Sequence, residues 1–512
     1  MGEQLNPLDA TFLELEEADD GAHMHIGGVM IFEPWGEGGA PPLDLVRAEL
    51  EARTAEFPRY QHRLSQTRTG GLHWPRWERD DRFDIARHVV RAALPEPKGE
   101  EELLAWAGDY FSQRLDRGRP LWEMVVIDLA DGRWAMVSKA HHCMVDGVGS
   151  VDVVNALLDS RPDAERRSNG SPWSAPRAPR PRTAPTGWFP LRAGVRLAAS
   201  TLTAASDVLQ AGGDSIRAVA GGIAAPLRAP HHAAEALARA RALVEVLVKD
   251  EIIAAPPSSL NGPIGAHRSL AILSVPLSEL KEIKESLGGS VNDVVLAATA
   301  GGLRDLLRSR GEDLPDQGLR AMVPVNIRSA TERLSLGNRI TSLFVHLPVA
   351  EADPLDRYRR QVEEAEGLKA GSQATGSLAI VSLAGHAPPV LHSFLARGLF
   401  ATRLFNVTIT NVPGPQLPLY AFGSRMLAVW PLVPLAANHG VGLAVFSYDG
   451  DLFFCLNADR DSVPDLDVLK TGIRRSIEEL GRLATTGNGS KARSRPGWRL
   501  PAKRRAPSPE RG

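Results

Sequence analysis

The chain has 512 residues, too many for one hydrophobic core, and ordinary domain sizes of about 100 to 200 residues lead to an expectation of two to four domains. Lys plus Arg number 59 against 61 for Asp plus Glu, a formal net charge of -2, so no bulk attraction draws the chain to nucleic acid or to an anionic surface. The two cysteines, Cys143 and Cys455, exclude a disulfide framework and a four-thiolate zinc site, and point to a reducing cytoplasm.

The opening MGEQLNPLDATFLELEEADD has no basic segment leading into an apolar run and no small-residue cleavage site, so no secretory leader is expected. No stretch of about 18 uncharged apolar residues occurs, so no membrane-spanning helix is expected either. Next, HIGGVMIFEP reads as a strand and PLDLVRAELEARTAEF as an amphipathic helix opened by proline. WEMVVIDL and RWAMVSKAHH are β-rich runs separated by Ala130, Asp131 and Gly132, and Asp-Gly in that setting signals a hairpin. GVGSVDVVNALLDS then has helical spacing, with Val151, Val154 and Leu157 on one side.

Residues 161–186 are rich in Pro, Arg, Ser and Ala and read as a linker, because they cannot bury enough apolar surface to offset ordering. Residues 188–249 are Ala-rich and broken by glycine pairs, a pattern of loosely packed helices. A second α/β region follows, with RSLAILSVPL, SVNDVVLAATAGGLRDLLRSR, LRAMVPVNIR, ITSLFVHLPV, NVTITNVPGP and GVGLAVFSYDGDLFFCLNAD in alternation. The expected organisation is an N-terminal α/β unit at 1–160, linker and Ala-rich helices at 161–250, a comparable α/β unit at 251–486, and a basic tail at 487–512.

The chemistry concentrates in SKAHHCMVDGVGS, Ser138 to Ser150, on a strand-to-helix connection. Neighbouring residues of an extended strand point to opposite faces, so His141 and His142 cannot easily share one metal ion, and no thiolate pair or H-E-x-x-H helix completes such a site. No metal is therefore expected. A histidine at a rigid strand end suits general-base work, since its unperturbed pKa of about 6.5 lets it take a proton and return it. Asp146 either orients the imidazole or organises the loop by pairing with an arginine, for which Arg59 and Arg63 are candidates. Gly147 and Gly149 allow a tight turn and close approach of a ligand. Cys143 falls on the opposite side of the strand from His142 and reads as a packed small residue rather than a nucleophile. No G-x-x-x-x-G-K-[ST] accompanies GVGS, which removes nucleotide hydrolysis.

His141, His142, Asp146 and Gly147 reproduce the HHxxxDG pattern of the CoA-dependent acyltransferase superfamily. With PLDATFL, MHIGG, RPLWE, NGPIG, SVNDVVLA, VPVNIR, LGNRIT and NVPGP in this order, the chain resembles the bacterial wax ester synthase/acyl-CoA:diacylglycerol acyltransferase family over nearly its whole length. The resemblance implies two chloramphenicol-acetyltransferase-like α/β domains with mixed sheets and a tunnel between them that admits acyl-CoA and an alcohol from different sides. It implies His142 as the proton acceptor, His141 and Asp146 as its supports, and Gly147 at the entrance. Asn292 and Asp293 match a second family motif and are expected to shape the substrate site. The implied reaction moves a fatty acyl group from acyl-CoA to diacylglycerol or a long-chain alcohol, with acyl-CoA as a substrate and no cofactor. The alternatives are a superfamily member with another alcohol acceptor and a catalytically silent lipid-binding homologue.

The tail combines Lys491, Arg493, Arg495, Arg499, Lys503, Arg504 and Arg505 with Trp498 and Leu500, which suits peripheral contact with a membrane or lipid-droplet surface. Each basic residue near an anionic bilayer is worth about 1 kcal/mol. Deleting residues 487–512 is expected to reduce co-sedimentation with anionic liposomes and to spare activity on micellar substrate. Equal sedimentation of the two forms counts against the idea.

Overall fold

The computed structural model describes residues 3–65, 74–144, 158–163, 254–326, 340–370 and 404–485. Most of the expected linker, the Ala-rich stretch, most of the expected helix in GVGSVDVVNALLDS, most of LGNRIT and the basic tail lie outside these residues.

In the N-terminal half the order is α1 (Pro7–Ala18), β1 (His25–Phe32), α2 (Leu43–Thr54), β2 (His62–Leu64), β3 (Trp77–Arg79), β4 (Val89–Ala92), α3 (Glu100–Phe111), β5 (Trp122–Asp128) and β6 (Trp134–His141). The C-terminal half continues with β7 (Arg268–Pro276), α4 (Leu277–Leu287), α5 (Val291–Ser309), β8 (Leu319–Asn326), β9 (Ile340–Leu347) and α6 (Pro354–Ala370). It ends with β10 (Val407–Pro413), β11 (Tyr420–Ala421), β12 (Ser424–Leu432), β13 (Val441–Tyr448), β14 (Asp451–Asp459) and α7 (Leu466–Thr485).

Twelve of these strands form two six-stranded mixed sheets and β2 and β3 a separate two-stranded ribbon, so the α/β class read from the sequence is the fold observed. The first runs β11-β12-β1-β6-β5-β4, with only β4 and β5 parallel. The Asp131-Gly132 turn joins β5 to β6 as expected, with Gly132 at φ 81°, a left-handed backbone that suits glycine. The second runs β7-β14-β13-β10-β8-β9, with β10 parallel to both β13 and β8. The sheet of the N-terminal half is completed by C-terminal residues: β12 pairs antiparallel with β1 from Gly27 opposite Leu432 to Phe32 opposite Met426.

Sheet placement explains composition. β13 is buried at every position and β14 at all but its first, because both faces of the second sheet are covered. Leu443, Val445, Phe454 and Leu456 join the core under α5 and α7, while Phe446, Phe453 and Cys455 join the core of the first sheet. Full burial of each such side chain contributes roughly 1.5–3 kcal/mol. α5 and α7 approach closely because a Cβ at Gly302 would lie 2.9 Å from the backbone nitrogen of Ile473. None of the described helices is long and apolar enough to cross a membrane.

A buried arginine clamps the halves together. Arg268 opens β7, is 2 % exposed, and donates through Nη2 to the carbonyl of Gly21 and through Nη1 to the carbonyl of Gly265 at 2.7 Å. Its countercharge, Asp459, lies 3.7 Å away. Removing one member of such a buried pair strands the other. Arg268→Met is expected to cost about 3–5 kcal/mol, read as a lower urea midpoint, and a midpoint within error of wild type would contradict this account.

Candidate functional site

β6 delivers the paired histidines, and its pleat separates them. Met136, Ser138 and Ala140 face a cavity of about 200 Å³ between the two sheets, and His142, the first residue past the strand, continues that row. His141, opposite His25 on β1, belongs to the other row and is 1 % exposed. The cavity wall is mostly apolar, with Trp122 and Met124 from β5, Thr410 and Val412 from β10, and Phe446 from β13.

A backbone hydrogen bond and a ring stack help to hold His142. Its backbone N–H donates to the carbonyl of Met24 at 2.8 Å, and its ring stacks on Phe12 of α1 with centroids 4.0 Å apart and planes 7° from parallel. Burial pushes its pKa down to about 4 against an opposing backbone hydrogen bond. The imidazole is therefore neutral at pH 7, with a lone pair available.

His141 is a strut. Its Nδ1 accepts from the backbone N–H of Cys143 at 3.1 Å, which places the ring proton on Nε2, 3.5 Å from Oε2 of Glu16. The other oxygen of Glu16 lies 3.4 Å from Nε2 of His25, and Arg117 donates to Oε2 at 2.8 Å. Burial alone would raise the Glu16 carboxyl, but contact with His141 and the Arg117 hydrogen bond outweigh it and hold the group well below the usual carboxylate range. Burial pushes His25 well below its ordinary value, so His25 is neutral.

The flanking groups are equally committed. The Lys139 ammonium caps the end of α3, donating to the carbonyls of Tyr110 at 3.0 Å and Gln113 at 3.1 Å, and sits 3.9 Å from the Tyr110 ring centroid. Burial pulls its pKa down to about 8 against the opposing charge of Glu123, 3.8 Å away. Cys143 is fully buried; burial, reinforced by the charge of Asp9, raises its thiol pKa well above normal, which leaves it inert as a nucleophile.

The structure brings together some of the residues singled out from sequence and not others. Asp146 and Gly147 lie outside the described residues. Arg59, a candidate partner for Asp146, donates to the carbonyl of Met144 at 3.0 Å and to Glu3 at 3.1 Å and lies 3.6 Å from buried Asp9, so it fastens the turn after His142 to α1. Arg63 stands opposite Glu78 in the small β2–β3 ribbon. Asp293, expected to shape the substrate site, serves as a helix cap: it is buried, accepts from the backbone N–H and hydroxyl of Ser290 at 2.8 and 2.7 Å, and donates its own N–H back to that hydroxyl. Asn292 accepts from Asn411 of β10 at 3.2 Å and so ties α5 to the second sheet. Neither lines the described cavity wall.

Sequence reasoning passed over Glu16, Phe12 and Arg117. The signal for α1 was present: Asn6 caps the helix by accepting from the Asp9 N–H at 2.7 Å, Pro7 occupies the first turn, and Phe12 and Glu16 stand four apart on one face. Among the described residues no group of three or more His, Cys, Asp or Glu is arranged to hold a metal.

Comparison with known proteins matches residues 5–295 to the wax ester synthase/diacylglycerol acyltransferase catalytic domain and residues 336–481 to the C-terminal domain of the same family. The chain belongs to this family. A probable diacylglycerol O-acyltransferase of Mycobacterium tuberculosis is 33% identical over 480 residues, covering 93% of this chain and 95% of that protein. A second probable diacylglycerol O-acyltransferase of the same organism is also 33% identical, covering 93% of this chain and 98% of its own length. The wax ester synthase/diacylglycerol acyltransferase of Marinobacter aquaeolei VT8 superposes with a TM-score of 0.62 at 25% identity, covering 94% of this chain and all of that one. The fold is shared more widely: a starter condensation domain of rhizomide synthetase superposes with a TM-score of 0.56 at 15% identity, covering 94% of each chain.

For this wax ester synthase/diacylglycerol acyltransferase relative, the buried carboxylate provides a direct test. Glu16→Gln keeps the volume of the side chain but removes the charge that faces His141, His25 and Arg117. The expected result is a loss of about 1–3 kcal/mol in stability and a turnover lower by about tenfold, less than the ~10²–10⁴ attached to a missing acid–base group. Thermal melts with steady-state assays check both, and wild-type values for the two would refute the role assigned to Glu16.

Proposed function

We propose that the protein transfers a fatty acyl group from acyl-CoA to the hydroxyl of diacylglycerol or a long-chain alcohol, with His142 as general base. The observation that carries the reading is the placement of a neutral, ring-stacked imidazole at the wall of a largely apolar cavity between two sheets. Family membership supports the reaction class, and the relatives named as diacylglycerol O-acyltransferases support the acceptor.

In this mechanism His142 removes the proton from the acceptor hydroxyl as its oxygen attacks the thioester carbonyl. A tetrahedral adduct forms, the C–S bond breaks, and the histidinium gives its proton to the departing thiolate, which leaves as free CoA. The net reaction makes an ester and a thiol, with no covalent enzyme intermediate. A base whose conjugate acid has a pKa near 4 returns its proton readily, which favours expulsion of CoA. His141 acts through Glu16 and the Cys143 backbone to fix the turn. By resemblance, Asp146 supports the same turn and Gly147 keeps the entrance open. Contact with a lipid surface would bring the water-insoluble acceptor to the cavity.

His142→Ala is expected to lose acyl transfer by about 10²–10⁴ while still binding acyl-CoA, and His141→Ala to lose less. Thiol release from palmitoyl-CoA, with and without diacylglycerol, measures both after each variant passes a melting check. Near-normal turnover in His142→Ala would remove the mechanism, and absence of acceptor-dependent thiol release in wild type would favour a silent lipid-binding homologue.

The pH profile gives an independent check. The folded-state pKa of His142 is depressed, so the active neutral form persists as pH falls from 7 and is lost only on approach to about 4. The acidic limb of kcat/KM is expected well below the ordinary histidine value of about 6.5, and a limb at that ordinary value would contradict the assignment.

A further inference from the structure

We infer that Met30 and Met136 set the length of acyl chain the enzyme accepts, by closing the far end of a trough one alkyl chain wide that begins at His142. The inference rests on the acyl-transfer reading above and names the part of the cavity that holds the donor's tail.

Strand register orders the cavity floor into rows. Ala140 of β6 stands between Ile26 of β1 and Trp122 of β5, Ser138 between Gly28 and Met124, and Met136 between Met30 and Val126. All of these except Val126 line the cavity. Successive rows are two residues apart, about 6.6 Å along the strand, so the methionine row lies roughly 20 Å from His142. The middle of the first two rows carries Ala140 and Ser138 of β6, small residues that leave a groove bordered by Ile26, Trp122 and Met124. At the third row two long side chains, Met30 and Met136, stand side by side in place of the small residues, 4 % and 3 % exposed. Phe422, with its ring 6.2 Å from that of Trp134 two residues before Met136, and Leu50 of α2 also line the cavity.

An extended alkyl chain advances about 1.25 Å per carbon, given tetrahedral bonds of ~1.5 Å, so roughly 16 carbons span the distance from His142 to the methionines. Methionine is unbranched and changes shape easily, which makes this end a yielding stop rather than a hard one. The groove is floored by single small residues of β6, a width that suits one unbranched chain. The acyl donor brings one such chain and diacylglycerol brings two, so the trough fits the donor rather than that acceptor, and the single chain of a long-chain alcohol is the rival occupant that the second series below tests.

The test is a pair of chain-length series on the full-length protein: acyl-CoA from C8 to C20 against a fixed acceptor, and alcohols of the same range against fixed palmitoyl-CoA. Met136→Ala is expected to raise the ratio of kcat/KM for C20 over C16 acyl-CoA by at least about tenfold, since it removes the stop. Ser138→Leu fills the groove midway and is expected to lower the ratio for C16 over C8 acyl-CoA by a similar factor; it keeps the test open if Met136→Ala melts too low to assay. Opposite shifts of the acyl series with an unmoved alcohol series support the inference. A shift of the alcohol series instead, or of neither, overturns it. Wild type that releases no thiol with any pair overturns the acyl-transfer reading first, and the inference with it.

Discussion

The pleat of β6 is the constraint on which the site depends. An extended strand sends consecutive side chains to opposite faces, so the two histidines at its end are divided between two environments. His141 goes to the packed side, against Glu16 and His25, and His142 goes to the cavity. A one-residue slip in the pairing of β6 with β1 would exchange these roles and turn Met136, Ser138 and Ala140 into the packed layer. The register is held along the full length of the strand, from His25 opposite His141 to Phe32 opposite Trp134.

Burial then acts differently on the two sides. Around Glu16 it is opposed by a neighbouring cation, Arg117, and by two imidazoles, so a carboxylate stays ionised in the interior and anchors the turn. Around His142 burial outweighs the opposing backbone hydrogen bond, so the imidazole stays neutral and poised to accept a proton. One carboxylate on the packed side thus supports the ring that faces the cavity without touching it. α1 contributes to both: Glu16 reaches His141, and Phe12, one turn earlier, stacks on His142.

The strands bearing the motif were legible because β-branched runs, an Asp-Gly turn and the alternation of β6 are local signals. The opposite facing of His141 and His142 followed from the same alternation. What was not legible depended on distant partners. Glu16 looks like one of several exposed acids in ELEEADD until α1 is docked against β6. Asp293 sits in a family motif and reads as a site residue, yet its hydrogen bonds with Ser290 make it a helix cap, a pattern that Ser-x-x-Asp before an apolar run already contained. No feature of SRMLAVWPL says that, besides its neighbour β11, it pairs with a strand some 400 positions earlier, because β-propensity does not encode partners.

That late pairing has a consequence for biosynthesis. As the chain leaves the ribosome, β1 is made among the first residues and its partner β12 among the last, so one edge of the first sheet stays uncovered through most of translation. The uncovered edge carries unpaired backbone donors and acceptors beside apolar Val29, Met30 and Ile31, which is a template for pairing with another nascent chain. Closing a loop of this size is slow because its entropy must be met before the contacts form. Yield in a heterologous host should therefore follow translation rate, growth temperature and chaperone supply more closely than it follows the stability of the finished protein.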